Sequence, residues 1–173
     1  MDGPLTIGVD PDCDTTAWAI ADRKSIRAVG TIRGGLRELV VGLEAAVSPW
    51  GPQRAVVEGQ TIYPGSKVAP NDIVKLARFA GFAAGILAAI HSLPVLIPMP
   101  FDWKGQTPKE INQARTFAHF GILYEIRGGR SDKYCVPSGC AVAAQIRGAA
   151  SLNDGDWKHV GDAAGLALWG ARQ

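Results

Sequence analysis

The chain has few cysteines, no secretory signal pattern and no long uncharged apolar run, and each lack excludes a class of protein. Only three cysteines occur in 173 residues, at positions 13, 135 and 140, which excludes a disulfide-stapled scaffold. The opening residues, M-D-G-P, lack the basic and apolar regions of a signal peptide. The apolar stretch 73–93 is interrupted by Lys75 and Arg78, and its uncharged part is shorter than the roughly 20 residues of a membrane span. We therefore expect a protein of the reducing cytoplasm without a membrane segment.

A strong excess of charge of one sign is also missing. The net charge is +2, so overall charge is compatible with nucleic-acid binding but does not argue for it. Apolar residues make up 47% and charged residues 20% of the chain, which is typical of a globular protein. The length and the absence of repeats or linkers predict one domain, residues 1–173, large enough to bury a core.

Short apolar runs alternate with helical periodicity along the chain. Three strands come first, then helix, strand, long helix, strand and further helices, an order that predicts an α/β fold with a five-stranded mixed sheet flanked by helices. The long helix has Asn71 as its candidate cap, and Thr107 with Pro108 and Glu110 resembles a helix start with a capping box. The predicted strands are 5–9, 15–21, 26–32, 54–58 and 94–97, the predicted helices are 36–47, 71–90, 107–120 and 158–171, and 128–139 is a predicted Gly-rich loop.

Three acidic residues occupy positions where a carboxylate has no evident structural purpose. Asp10 ends the first strand, Glu58 ends the fourth, and Asp162 lies in the last apolar helix, with His159 three residues earlier on the same side. Neighbouring strands would bring Asp10 and Glu58 together, and clustered carboxylates repel unless a cation neutralises them. Oxygen ligands favour Mg²⁺ or Mn²⁺. Each acid alone also has an ordinary explanation, as a turn opener, an exposed strand end or a charge in the first turn of a helix.

The motifs around these acids resemble the RuvC family of Holliday junction resolvases. The matching segments are I-G-V-D-P, A-V-V-E-G-Q, K-L-A-R-F-A-G-F-A-A-G and H-V-G-D-A-A-G-L-A-L, and residues 122–157 match nothing in the family pattern. The resemblance implies a ribonuclease H-like fold, a homodimer and four-way junction DNA as the substrate. It also implies a crossover-junction endodeoxyribonuclease of DNA recombination and repair, with two Mg²⁺ or Mn²⁺ ions held by Asp10, Glu58, His159 and Asp162. A bacterial or phage-infected cell is the expected setting.

Two departures from the family pattern concern the presumed site. The glycine that usually follows Asp-Pro is Asp12 here, with Asp14 nearby, and Gly59 separates Glu58 from Gln60. The extra acids point away from the phosphate or bind metal themselves.

Three residues are candidates for DNA contact. Tyr63 could stack on an unpaired base, and Lys104 and Lys109 lie in a segment that resembles the family's phosphate-binding segment. Between residues 101 and 147, Lys and Arg number seven and Asp and Glu four, a modest phosphate-binding footprint. A surface aromatic residue and an ordinary solvated face are the competing interpretations. The pair Cys135 and Cys140 is a weak zinc pattern, because no second pair of ligands accompanies it.

Other functions stay open at this point. A related nuclease acting on RNA or on an RNA/DNA hybrid would carry the same acids, and a catalytically silent junction-binding module is a further alternative. An ATPase-like or sugar-kinase-like protein is disfavoured, since that class needs two such domains.

Overall fold

A mixed sheet of five strands forms the centre of the protein, which a computed structural model describes for residues 3–61, 69–130, 132–138 and 145–173. The strand order is β3-β2-β1-β4-β5, so the predicted five-stranded mixed sheet is confirmed. β1 is antiparallel to β2 and parallel to β4, β2 is antiparallel to β3, and β4 is parallel to β5. The strands are β1 (Thr6–Asp10), β2 (Thr15–Ala21), β3 (Ile26–Arg33), β4 (Arg54–Val57) and β5 (Val95–Leu96).

Helices cover both faces of this sheet. On one face, α1 (Leu36–Val47) and α2 (Pro70–Ala89) pack over a core that includes Ile7, Val9 and Ile20. On the other face lie α4 (Lys109–His119) and α5 (Asp154–Arg172). The short α3 (Pro100–Lys104), which the sequence did not predict, follows β5. None of the helices within the described ranges has the length and apolar character needed to span a membrane.

The approach of α5 to β1 depends on a small residue in the strand. A Cβ built on Gly8 would lie 2.1 Å from the carbonyl oxygen of Ala163 and 2.5 Å from the nitrogen of Ala167. Any larger residue at this position would therefore push the helix away from the sheet. Gly8 lets the alanine-rich face of α5 rest directly on β1, and this contact fixes which residues of α5 lie beside the end of the strand.

The start of α5 was predicted wrongly, at Lys158. The helix begins at Asp154, and Asn153 is its N-cap: the Asn153 side chain accepts from the backbone N–H of Asp156, and the Asp156 carboxylate accepts from the backbone N–H of Asn153. Such a reciprocal cap offsets the poor helix propensity of Gly155. Asp162 consequently lies in the third turn rather than the first, so the helix dipole does not explain its presence.

Residues 128–139 were predicted as a loop, but most of this stretch belongs to a β-hairpin. β6 (Tyr124–Gly129) and β7 (Asp132–Pro137) pair antiparallel in a separate two-stranded sheet. Gly128 has a left-handed backbone conformation, with φ of +95°, which residues with a side chain adopt only at an energetic cost. Glycine at this position therefore favours the hairpin and does not break the strand. Burial of Cys135 and Val136 anchors β7.

The two predicted helix caps were also wrong. α2 begins at Pro70 with Ala69 as its N-cap, so Asn71 is already inside the helix. α4 has Pro108 as its N-cap and no side-chain cap, so Thr107 and Glu110 do not form a capping box. In α2, Pro70 occupies the first helical position, which the fixed φ of proline favours, whereas in α4 Pro108 stands one residue before the helix as its N-cap.

The small-residue face of α2 is divided between core and surface. Ala84 is buried against the sheet, whereas a Cβ built on Gly81 or Gly85 would meet no atom within 4 Å. Val74 and Phe82 are exposed on the same helix. Gly81 and Gly85 are therefore not needed for packing within the chain.

Candidate active site

Two neighbouring strands deliver two carboxylates to one end of the sheet. Val9 pairs with Val57 in the parallel β1–β4 ladder, and the backbone N–H of Glu58 donates to the carbonyl oxygen of Val9 at 3.0 Å. Asp10 and Glu58 follow directly and are each only 7% exposed. The predicted adjacency of these two strands is confirmed.

The helix α5 adds a third carboxylate and an imidazole. Asp162 is 2% exposed, and the ring Nδ1 of His159 lies 3.1 Å from Oδ2 of Asp10. Both residues stand on the part of α5 that Gly8 allows to approach β1. The structure thus brings the four residues Asp10, Glu58, His159 and Asp162 into one neighbourhood.

Two lysines lie among these carboxylates. The Nζ atom of Lys104, at the end of α3, is 3.0 Å from Oε1 of Glu58, and that of Lys109, at the start of α4, is 2.7 Å from Oδ2 of Asp162. Both lysines were predicted from the sequence as DNA contacts, and the structure places them within the acidic cluster. Trp103, which sequence reasoning missed although it precedes Lys104, donates its indole N–H to the same Glu58 oxygen at 3.1 Å.

Gln113 is a second residue that sequence reasoning missed. Its side chain is fully buried. Nε2 donates to Oδ1 of Asp162 and to the carbonyl oxygen of Lys158, both at 3.0 Å, while Oε1 accepts from the backbone N–H of Cys135 at 2.8 Å. The only available signal was its position four residues after Lys109, on the same face of α4. Gln113 ties α4, α5 and β7 together at the carboxylate of Asp162.

The electrostatics of the cluster reflect burial set against neighbouring charge. Burial and the charge of Asp10 raise the pKa of Glu58 to about 7. Burial likewise raises the pKa of Asp162 despite the nearby ammonium of Lys109. Burial would also raise the pKa of Asp10, but its hydrogen bond with His159 and the lysine charges outweigh that effect and lower it. The same hydrogen bond raises the pKa of the His159 ring.

Three carboxylates and an imidazole are the ligand types that Mg²⁺ or Mn²⁺ accepts. Within the described parts of the chain, however, no three His, Cys, Asp or Glu side chains are arranged to hold a metal ion. The ammonium groups of Lys104 and Lys109 instead lie at oxygens of Glu58 and Asp162. The four side chains are therefore of the right chemical type to bind a divalent cation. The carboxylate oxygens that would coordinate it are paired with lysine ammonium groups in this structure.

The remaining candidate residues lie outside this cluster. Asp12 accepts from the backbone N–H of Cys13 and contributes charge near His159, so it is close to the site without joining it. Cys135 is buried, and burial raises the pKa of its thiol to about 11, which does not favour a thiolate ligand. Tyr63 and Cys140 lie outside the described residues.

A five-stranded mixed sheet in this order, with helices on both faces, is the ribonuclease H-like fold. Solved structures of RuvC share it over nearly the whole chain. RuvC of Thermus thermophilus in complex with a Holliday junction substrate matches with a TM-score of 0.63 at 15% identity, covering 96% of this chain and 92% of that chain. Another Thermus thermophilus RuvC structure gives 0.62 at 16% identity, with coverage of 95% and 92%.

A more distant structural neighbour is the yeast mitochondrial Holliday junction resolvase Ydc2. It matches with a TM-score of 0.51 at 10% identity, covering 98% of this chain and 82% of that chain. No family model and no curated protein sequence matches the chain. The resemblance to RuvC that the motifs indicate is confirmed at the level of the fold.

Proposed function

We propose that this protein is an endonuclease that resolves four-way DNA junctions. The observation that carries the proposal is the meeting of Asp10, Glu58 and Asp162, nearly excluded from water, at one end of a sheet whose fold matches RuvC. Burying three carboxylates together opposes folding unless they are neutralised. Retaining them in this arrangement is understandable if they serve a reaction at a phosphodiester.

The four residues Asp10, Glu58, His159 and Asp162 would hold two divalent cations, Mg²⁺ or Mn²⁺. Bound there, the cations would supply an activated water and charge stabilisation at the leaving oxygen. Gln113 would keep one oxygen of Asp162 fixed, and His159, held by Asp10, could carry a proton at its ring beside the reacting phosphate.

Lys104 and Lys109 have two partners available in this proposal. In the free protein they pair with Glu58 and Asp162. Lysine ammonium groups bind phosphate as flexible point charges, so a DNA strand entering the site would meet both of them. The predicted role of these lysines in DNA binding is thus compatible with the ion pairs. The stacking of Tyr63 on an unpaired base stays a prediction.

The test is cleavage of a labelled four-way junction with Mg²⁺ or Mn²⁺, using wild type and the variants Asp10→Asn and Glu58→Gln. We expect each substitution to lower the cleavage rate by at least about a hundredfold, because the chemistry needs charged metal ligands. Junction binding should stay largely intact, because it rests on phosphate contacts. Near-normal turnover of either variant would refute the site. Parallel assays on RNA and on an RNA/DNA hybrid would identify a related nuclease.

A catalytically silent junction-binding module is the second candidate. The observation that favours it is the pairing of Glu58 and Asp162 with lysines instead of a metal arrangement. Such a module would bind the labelled junction tightly and leave it uncut in either metal, whereas a resolvase would nick two opposite strands of the junction.

A homodimer is part of the proposal, because resolving a symmetric junction requires two opposed active sites. The exposed face of α2 around Gly81, Gly85 and Ala88 allows a partner helix to come close. Light scattering should give the mass of a dimer for wild type. Gly85→Glu, whose side chain meets open space within the chain, should give a folded monomer, and a wild type that is monomeric while fully active would refute the dimer.

A further inference from the structure

The β6–β7 hairpin packs on the same side of the sheet as α4 and α5, the two helices that carry Lys109, His159 and Asp162. β7 packs against α4 and α5, and the backbone N–H of Cys135 is bound by Gln113, the residue that also holds Asp162. All six residues of β6, by contrast, are exposed. The hairpin is therefore anchored to the candidate active site through one strand and presents the other strand and its turn to solvent.

The hairpin carries paired and unpaired basic side chains within the part of the chain that the structure describes. Arg127 pairs with Glu125, and Asp132 pairs with Lys158 of α5. The side chains of Arg130 and Lys133 are exposed and have no hydrogen-bond or ion-pair partner among the residues that the structure describes. Two cations on either side of the same turn are thus free to bind an anion.

An open cleft is lined by these two cations and by Lys109. Its volume is about 350 Å³, and it is lined by Pro108, Lys109, Glu110, Arg130, Asp132 and Lys133. Lys109 in its wall also contacts Asp162. The carboxylate of Asp132 is neutralised by Lys158 at 2.6 Å, which leaves Glu110 as the one lining acid without an ion pair among the described residues.

We propose that Arg130 and Lys133 bind a backbone phosphate of a DNA arm and guide that strand along the cleft toward Lys109. This inference rests on the proposed function and adds a binding subsite to it. Backbone phosphates fit the cleft because arginine forks and lysine ammonium groups are the usual phosphate donors. The contact would position the DNA without reading its sequence, since phosphates carry no base information.

The experiment measures binding of a fluorescein-labelled four-way junction by anisotropy, in EDTA to prevent cleavage, at several salt concentrations. The variants are Arg130→Gln, Lys133→Gln and the double variant, all at exposed positions. The matched control is Arg37→Gln, which removes another exposed charge, from α1 on the opposite face of the sheet. A duplex of the same arm sequence serves as a second ligand.

The double variant should reduce the magnitude of the slope of log affinity against log salt by about 0.9, the value for one lost phosphate contact, and should bind about tenfold more weakly near physiological salt; each single substitution should produce part of this change. The duplex should lose affinity in parallel, and Arg37→Gln should behave as wild type. If the hairpin variants match Arg37→Gln while wild type binds the junction, the inference is wrong and the proposed function stands. If wild type binds no junction, the proposed function fails and the inference fails with it.

Discussion

Replacing Gln113 with leucine tests the contact that joins the hairpin to the candidate active site. Leucine has a similar size but offers no polar atom, so the change removes the hydrogen bonds to Asp162, Lys158 and Cys135 together. The backbone N–H of Cys135 and one oxygen of Asp162 would then be buried without these partners. The effect should therefore appear as a loss of stability in the metal-free protein.

The magnitude follows from what is left unpaired. A buried N–H without an acceptor costs about 1–3 kcal/mol, and a lost hydrogen bond to a charged group costs about 1.5–3 kcal/mol. The carbonyl of Lys158 lies inside α5, where a helical N–H also serves it, so its loss adds little. We expect Gln113→Leu to lower the free energy of unfolding by about 3–5 kcal/mol.

Urea denaturation at equilibrium, in EDTA, measures this difference through the midpoint at constant slope. The matched control is Asn112→Leu, one residue earlier on α4. The side-chain Nδ2 of Asn112 is buried without a hydrogen-bond partner among the described residues, so its removal should cost less than about 1 kcal/mol or even stabilise. The reasoning is refuted if Gln113→Leu costs no more than Asn112→Leu.

Three further predictions concern the charges of the cluster. The pKa of Glu58 is about 7 in the folded protein, against 4.5 for an unperturbed glutamate. The folded state therefore binds more protons than the unfolded state between these two pH values, and the free energy of unfolding falls as pH rises from one to the other. The unfolding free energy of wild type relative to Glu58→Gln, measured in EDTA, should decline by roughly 2–3 kcal/mol between those values; a flat difference would contradict it. His159→Asp should shift cleavage toward Mg²⁺ relative to Mn²⁺, and His159→Ala should lose most activity in both metals between about pH 6 and 9; wild-type rates for His159→Ala would remove His159 from the site. Lys109→Gln should destabilise the metal-free protein by about 3 kcal/mol, because Asp162 loses its cation. Added Mn²⁺ should then raise its melting temperature more than that of wild type, and equal shifts would argue against competition between lysine and metal.

The sheet and its acids were predictable because the signals for them are local. Apolar runs that end in Asp10 and Glu58 indicate buried strands with a carboxylate at the end, and their adjacency in the sheet follows from the order of elements. The hairpin was not predictable in this way. Its glycines favoured a loop, and β7 is stabilised by contacts with α4 and α5 that no local pattern shows.

The sequence predicted that the acids would have positively charged partners, but it did not predict which groups these would be. A buried cluster of carboxylates requires positive charge, and the sequence offered two sources for it, a divalent cation or basic side chains. Lys104 and Lys109 are distant in sequence from all three acids, so their pairing with Glu58 and Asp162 depends on how α3 and α4 return to the sheet. An acidic motif alone therefore does not distinguish a metal centre from a set of ion pairs.

Under the proposed function, charge balance predicts how the cluster would change when DNA binds. Two lysines and His159 face three carboxylates, one of which, Glu58, has a pKa near neutrality, so the free site is close to neutral without any metal. A phosphate bound at the carboxylate cluster would add negative charge and compete with Glu58 and Asp162 for the ammonium groups of Lys104 and Lys109. Each lysine that turns to phosphate leaves a buried carboxylate unpaired, which raises its affinity for a divalent cation. Substrate binding and metal binding would then favour each other, and the lysines that occupy the carboxylate oxygens in the free protein are the groups through which the two are coupled.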